Sequence, residues 1–302
     1  MKALVLVIAS IFFAPVAALA QPVAPKKIKI LSWNIYMLPG FLGHGKKPRA
    51  EAIGQLLASS DYDVIVFQEA FHGNARKILS RLLSPAFPFQ AGPANQKLLS
   101  LKTNSGIWIF SKYPIEQSHS IIFNTRHGTD AFSRKGALLA EIKIEGQAVQ
   151  IVGTHLQNAG GDWRRFSQCV ELYNRLLLKH ERLGVPQVVC GDFNIDRYRS
   201  LEGYQYMLQV LNVADGTSTG TNNFSYDRLK NDLTNESGTR QDLIDYVLLR
   251  QSENQEVAGE RRIRILQHPW STKHRDLSDH FALEAEVPLM APPRTIAAIV
   301  AK

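Results

Sequence analysis

The sequence predicts an α+β fold in which two β-sheets pack face to face with helices outside. Three observations carry this. Short apolar runs recur along the chain, two segments alternate with period two, and the intervening stretches place apolar residues at helical spacing. No internal repeat or extended low-complexity tract breaks the series.

In chain order, Lys29 to Trp33 is the first buried strand, followed by a helix over Arg49 to Ala58 with Ala50, Ile53, Leu56 and Leu57 at helical spacing. Val64 to Phe67 and Ile107 to Phe110 are further apolar runs of strand length. Ala137 to Ile144 alternates, as a half-buried strand does, and Val149 to Val152 follows it. Trp163 to Leu183 is expected to be helical, with Phe166, Val170, Tyr173, Leu176 and Leu177 on one face, and Gly184-Val185-Pro186 as a C-cap glycine and breaker. Gln187 to Cys190, Leu243 to Leu249, Arg261 to Leu266 and the alternating Phe281 to Val287 complete the strands.

Lys2, the apolar run Ala3 to Phe13 and Ala18-Leu19-Ala20 have the order of a secretory signal peptide, expected over residues 1–20. The run is short for a bilayer span, and no later stretch is long and apolar enough to make one. A single domain is expected over 21–289, with a tail over 290–302 that opens on Ala-Pro-Pro. The protein is therefore expected outside the cytoplasm, secreted or periplasmic. A net charge of +8 suits contact with nucleic acid, anionic lipid or a phosphorylated substrate without choosing among them. The two cysteines, Cys169 and Cys190, are expected to be buried free thiols, and no Cys/His spacing indicates zinc.

The polar residues fall at telling positions. Trp33 leads to Asn34, Phe67 to Glu69, Val152 to Thr154-His155, and Cys190 to Asp192 and Asn194. Ser278-Asp279-His280 stands just before the last strand, so an antiparallel strand there would start at the edge where the others end. Asp245 lies within an apolar strand, where an unpaired carboxylate is costly. Singly, each has an ordinary explanation as a turn, cap or solvated strand end. Together they suit one chemistry. Mg²⁺ takes oxygen ligands and keeps water, and histidine steered by a buried carboxylate suits proton transfer.

The ordered set Ser32-Trp33-Asn34, Phe67-Gln68-Glu69, Ser105-Gly106-Ile107, Thr154-His155-Leu156, Gly191-Asp192-Phe193-Asn194, Leu243-Ile244-Asp245-Tyr246 and Ser278-Asp279-His280 resembles the endonuclease/exonuclease/phosphatase superfamily. The resemblance covers nearly all of the expected domain. It implies a four-layer α/β/β/α sandwich of two mainly antiparallel sheets flanked by helices, with the site at one sheet edge. It further implies Glu69 as principal Mg²⁺ ligand with Asn34 beside it. Asp192 and Asn194 would position water and phosphate, with one or two ions that Mn²⁺ can replace. His280 is implied as general base, and with Asp192 and Asn194 it joins Glu69 and Asn34 in the implied metal set, while Asp245 or Asp279 orients a histidine. His155 would contact phosphate or assist the leaving oxygen.

Within the superfamily, Asn34-Ile35-Tyr36-Met37-Leu38-Pro39 and Gly153-Thr154-His155-Leu156-Gln157 resemble the neutral sphingomyelinase branch. So does Asp130-Ala131-Phe132-Ser133-Arg134-Lys135-Gly136, whose Asp130 and Lys135 match a pair implicated in switching the site between states; an exposed loop ion pair is the plain alternative. This implies hydrolysis of sphingomyelin to ceramide and phosphocholine at a sphingomyelin-containing membrane surface, by a monomer with no stable protein partner. The alternatives are a secreted Mg²⁺-dependent endonuclease acting on nucleic acid, or a phosphodiesterase for another phospholipid or a soluble phosphoester. The chain departs from the branch in lacking an aromatic hairpin. Between Tyr246 and Asp279 the one aromatic is Trp270, near Arg261, Arg262 and Arg264, while Phe41 and Leu42 form another apolar loop that could touch lipid.

Overall fold

The computed structural model describes residues 27–40, 42–97, 102–128, 132–234, 238–250 and 259–289. The expected signal peptide, the tail, Phe41 and Asp130 lie outside these described residues.

The elements run β1 (Lys27–Met37), α1 (Lys46–Ala58), β2 (Val64–Ala70), α2 (Gly73–Leu83), β3 (Phe89–Ala91), β4 (Trp108–Ser111), β5 (Ile115–Ile122), β6 (Gly136–Ile144) and β7 (Gln147–His155). They continue with α3 (Asp162–Leu172), β8 (Gln187–Asp192), α4 (Leu201–Leu211), β9 (Ala214–Asp215), β10 (Thr217–Ser218), β11 (Tyr226–Asp227), β12 (Gln241–Asp242), β13 (Asp245–Arg250), β14 (Glu260–Arg264) and β15 (Ala282–Pro288). One sheet has seven strands in the order β10-β14-β15-β1-β2-β4-β3, and the other six in the order β5-β6-β7-β8-β13-β9. Both are mixed and mainly antiparallel; β1–β2 and β7–β8 are parallel.

Side-chain alternation explains the unbroken apolar runs. Ile28, Ile30, Val64, Val66, Ile107 and Ile109 enter the core that also holds residues of β6, β7, β8 and β13. The residues between them, Leu31, Trp33, Ile65, Phe67, Trp108 and Phe110, pack with Ile53, Leu57, Leu79 and Leu83 of α1 and α2. A strand covered on both faces needs apolar residues at every position. The far side of the second sheet is covered by Cys169 and Leu172 of α3 and Met207 and Leu211 of α4. Helices, sheet, sheet and helices thus form the expected four layers.

Several expectations are corrected. Strand β6 is buried on both faces apart from Lys143, rather than half-buried, because its polar Glu141 is matched by Gln150 Nε2 at 2.9 Å and by Arg182. The helix from Asp162 changes to a π-turn over Tyr173–Leu177 and a 3₁₀ turn over Leu178–His180, so it ends before Gly184. Val170 faces solvent, while Cys169, Leu172, Leu176 and Leu177 are buried. Asn34 lies inside β1, just before a bulge, rather than after the strand. Arg261 pairs with Asp215, and Arg262 and Arg264 pair with Glu284, so these cations serve internal ion pairs. Trp270 packs against the α1 layer, stacks on His274 and donates Nε1–H to the Asp276 carbonyl at 2.7 Å. Cys169 and Cys190, by contrast, are buried free thiols as expected, and burial raises both, Cys169 to about 12.

Gly191 shows how tightly β7 and β8 meet. A Cβ there would stand 2.0 Å from the Thr154 carbonyl oxygen, and its φ of +153° disfavours a side chain. Gly191→Ala is expected to destabilise the fold by roughly 2–3 kcal/mol or more. A wild-type urea midpoint for that variant would contradict the close contact.

Candidate active site

The site forms where parallel strands end and antiparallel strands begin. Asn34 and Glu69 lie near the C-terminal ends of β1 and β2, and His155 and Asp192 pair at the ends of β7 and β8. β13 runs antiparallel to β8 and starts with Asp245 opposite Asp192. β15 runs antiparallel to β1, which brings Asp279 and His280 to the same edge. Trp33 Nε1 donates to the His280 carbonyl at 2.8 Å, and Ser278 Oγ to the Asn34 carbonyl at 2.6 Å. Arg49, fully buried, donates to the carbonyls of Ile35, Tyr36, His44 and Leu277 and so ties α1, β1 and this last segment together.

A cleft of about 290 Å³ results, lined by Asn34, Glu69, His155, Asp192, Asn194 and His280 among others. Every site residue read from the sequence and described in the structure lines it except Asp245, which stands behind His280. His280 Nδ1 is 2.8 Å from Asp245 Oδ2, and Nε2 is 3.8 Å from Asp192 Oδ2. Asp192 Oδ2 accepts from Asn34 Nδ2 at 3.1 Å, and its Oδ1 accepts the Asn194 N–H at 2.9 Å. Between Asp245 and Asp279, Asp245 is thus the carboxylate that holds an imidazole, while Asp279 accepts from Ser278 Oγ at 3.3 Å. Lys135 is buried, with Nζ 3.0 Å from His155 Nε2 and 3.1 Å from the Leu156 carbonyl. The alternative of an exposed loop pair therefore does not describe Lys135. Tyr36, Glu69 and Asn194 have φ of +50°, +57° and +54°, left-handed conformations that cost energy and concentrate at functional sites.

The charges interlock. Burial, then the Asp279 charge, pushes the Glu69 carboxyl up to about 8, and burial with the Asp245 charge pushes Asp192 up to about 6. Burial works against a charged His280, but the charge and hydrogen bond of Asp245, with Asp192 and Asp279, hold its pKa well above the usual imidazole value. His155 is held well below that value by burial and by the Lys135 and His280 charges. The first imidazole is poised to carry a proton, and the second is neutral.

These residues fit a hard divalent cation. Glu69 Oε2 is shut off from solvent and has no hydrogen-bond partner among the described residues, so a carboxyl oxygen is left over in the cleft. Asn34 and Asp192 beside it add oxygen donors, as Mg²⁺ prefers. Asp192, Asp245 and His280 also offer atoms within 4.8 Å of one another. With Nδ1 of His280 on Asp245, that trio is equally a hydrogen-bonded dyad facing Asp192.

The sequence reading missed Asn158, Tyr226 and Arg240 in the cleft wall, whereas Leu38 and Ile244 lie in motifs it marked. Tyr226 comes from β11 and Arg240 stands just before β12, in a two-stranded ladder whose dipeptide strands carry no periodic signal.

Comparison with known proteins gives the same picture. Sphingomyelinase C 2 of Leptospira interrogans serovar Lai is 32% identical over 232 residues, 68% of this chain; this chain spans only 36% of that relative. A phospholipase C of Staphylococcus aureus is 26% identical over 85% of this chain and 86% of its own length. A beta toxin variant from Staphylococcus aureus with bound magnesium ions superposes with a TM-score of 0.79 at 24% identity, covering 87% of this chain and all of that one (100%). The pattern of the Endonuclease/Exonuclease/phosphatase family matches residues 31–280, from β1 to His280, and the chain belongs to that family.

Proposed function

We propose that the protein is a secreted, Mg²⁺-dependent phosphodiesterase that hydrolyses sphingomyelin to ceramide and phosphocholine at a membrane surface. One observation carries the lipid assignment. An apolar groove of about 250 Å³, formed with Pro39, Leu42, Phe71 and Phe132, shares Leu38, Glu69 and Lys135 with the catalytic cleft. Its rim exposes Phe132 (73%) and Leu42 (50%). Lys46 Nζ donates to the carbonyls of Leu38, Gly40 and Leu42, so the loop that presents Leu42 is tied in place.

The groove opens on the Glu69 side, whereas the Asp245–His280 dyad does not line it. In-line displacement at phosphorus puts the attacking water and the leaving oxygen on opposite sides. With water on the His280 side, the leaving oxygen faces the groove, so the alcohol released is the one bearing hydrocarbon. His280 Nε2 takes a proton from water as its oxygen bonds to phosphorus, and Asp245 holds the imidazole by Nδ1. As the P–O bond to ceramide breaks, Lys135 beside His155 offers positive charge on the groove side. Glu69, Asn34 and Asp192 would hold Mg²⁺, which supplies neutralisation of phosphate and alkoxide charge. The match to a sphingomyelinase supports this reading, and the apolar N-terminal run supports export.

The test is phosphocholine release from sphingomyelin vesicles with Mg²⁺ or a chelator. Release is expected with Mg²⁺ alone. Phe132→Ala is expected to lower vesicle hydrolysis roughly tenfold, from lost apolar burial, while sparing a soluble diester. No release by folded, Mg²⁺-loaded protein would overturn the lipid reading, and salt-sensitive cleavage of DNA in its place would make the protein a nuclease.

A further inference from the structure

We propose that Arg240 is a specificity-determining residue that binds the non-bridging phosphate oxygens of the substrate at the end of the cleft away from the apolar groove. This rests on the phosphodiesterase reading and adds a site that no sequence motif marked.

Tyr226 of β11 and Arg240, the residue just before β12, both line the cleft. The β11–β12 ladder pairs Tyr226 with Asp242 and Asp227 with Gln241. Ser225, just before it, is sewn to the catalytic strands: its Oγ accepts the N–H groups of Ile244 and Asp245 at 3.2 Å, and its carbonyl accepts the Phe281 N–H at 2.7 Å. Position at this ladder is therefore coupled to Asp245 and to the residue after His280. The Tyr226 ring lies 5.4 Å from the His280 ring at a tilt of 60°, and the Arg240 guanidinium carbon lies 5.4 Å from the centre of the same Tyr226 ring. Arg240 Nε donates to Asp242 Oδ2 at 2.5 Å.

That arrangement fixes the fork, and among the described residues only its Nε has a hydrogen-bond partner. Nε is used by Asp242 and the planar face by Tyr226, and the side chain remains 47% exposed where it lines the cleft. Asp242 does not depend on Arg240 alone, because Arg199 pairs with its other oxygen. A pre-oriented guanidinium beside the dyad suits bidentate recognition of a phosphoryl group, at little entropic cost. The tyrosine face is taken by Arg240, so a cationic retained group such as choline must lie off that face and gains less net binding from Arg240 than a neutral one does.

The experiment uses the full chain with Mg²⁺ and two soluble substrates, bis(p-nitrophenyl) phosphate and p-nitrophenyl phosphorylcholine, with inorganic phosphate as competitor. Arg240→Gln is expected to raise KM for the first substrate roughly tenfold to hundredfold, as for a lost charge-assisted contact, with kcat little changed. The rise is expected to be smaller for the phosphorylcholine substrate. Phosphate inhibition should weaken in step with KM, Arg240→Lys should recover part of the loss, and the Mg²⁺ titration and urea midpoint should stay in place. A residue that merely neutralises Asp242 would move the midpoint and leave the substrate ratio and phosphate inhibition untouched. Wild-type KM and phosphate inhibition in folded Arg240→Gln, with hydrolysis intact, overturn the role of Arg240 and leave the phosphodiesterase reading standing. If Arg240→Gln loses stability, Arg240→Lys decides: an unchanged KM and substrate ratio overturn the proposal. Absence of Mg²⁺-dependent hydrolysis of either substrate by wild type overturns both readings together.

Discussion

Alanine at His280 is expected to lower kcat on a soluble diester by roughly 10²–10⁴-fold, the range for loss of a general base, while Mg²⁺ still binds. The expectation comes from the 2.8 Å Nδ1–Asp245 contact, which leaves Nε2 facing Asp192 across 3.8 Å in the cleft. The pH profile carries a second readout. Against the effect of burial, Asp245, Asp192 and Asp279 hold the His280 pKa well above the ordinary value, which favours the protonated imidazole in the metal-free protein. A base acts in its deprotonated form, so activity should rise with pH, and Mg²⁺, by offsetting the surrounding carboxylates, should shift that rise to lower pH. Alanine removes the rise as well as the rate. Near-normal turnover in a folded variant would remove His280 from proton transfer, whereas a lost rate with an unchanged pH limb would give it a positioning part only.

Glu69→Gln is expected to weaken Mg²⁺ affinity by on the order of a hundredfold, at or beyond the ten- to hundredfold ascribed to partners outside the ligand shell. Oε2 has no hydrogen-bond partner among the described residues, and burial and Asp279 push the carboxyl up to about 8 from 4.5. The linkage has a definite sign. With a folded value above the unfolded one, the native state holds the extra proton, so stability from this group is full below about 4.5 and is lost as pH rises through about 8. Metal-free protein should thus lose Tm over that window, and Mg²⁺ should restore more Tm at pH near 8 than near 6. The glutamine variant, which cannot ionise, should lack both effects. An identical calorimetric Mg²⁺ titration and an identical Tm–pH slope would show that Glu69 neither binds the ion nor holds a strained charge.

Much of the fold was legible because its strands are covered on both faces: Ile30 and Leu31 look into different cores, and so both had to be apolar. The same logic made Asn34, Glu69, His155 and Asp192 conspicuous as polar interruptions at strand ends. Elements held by capping or by polar pairing gave weaker signals. Helix α2 starts on His72, whose Nδ1 accepts the Ala75 N–H at 3.2 Å, and lies in a segment left unread. Buried Arg49 read as the polar edge of a helix, because four backbone carbonyls from distant segments cannot be seen in its own neighbourhood. Arg240 was invisible for a similar reason, since Asp242 and Tyr226 give it meaning only after the ladder closes.

The pairing of β1 with β15 has a consequence for timing. Lys27 stands opposite Pro288, so the first and last strands of the sheet are neighbours, and His280 precedes the strand that closes it. A chain emerging from its N-terminus has Asn34, Glu69, His155 and Asp192 available long before it has the imidazole that completes the dyad. Contacts of such high sequence separation form slowly and late. The Asp245–His280 dyad is therefore completed only once the terminal strand has docked on β1.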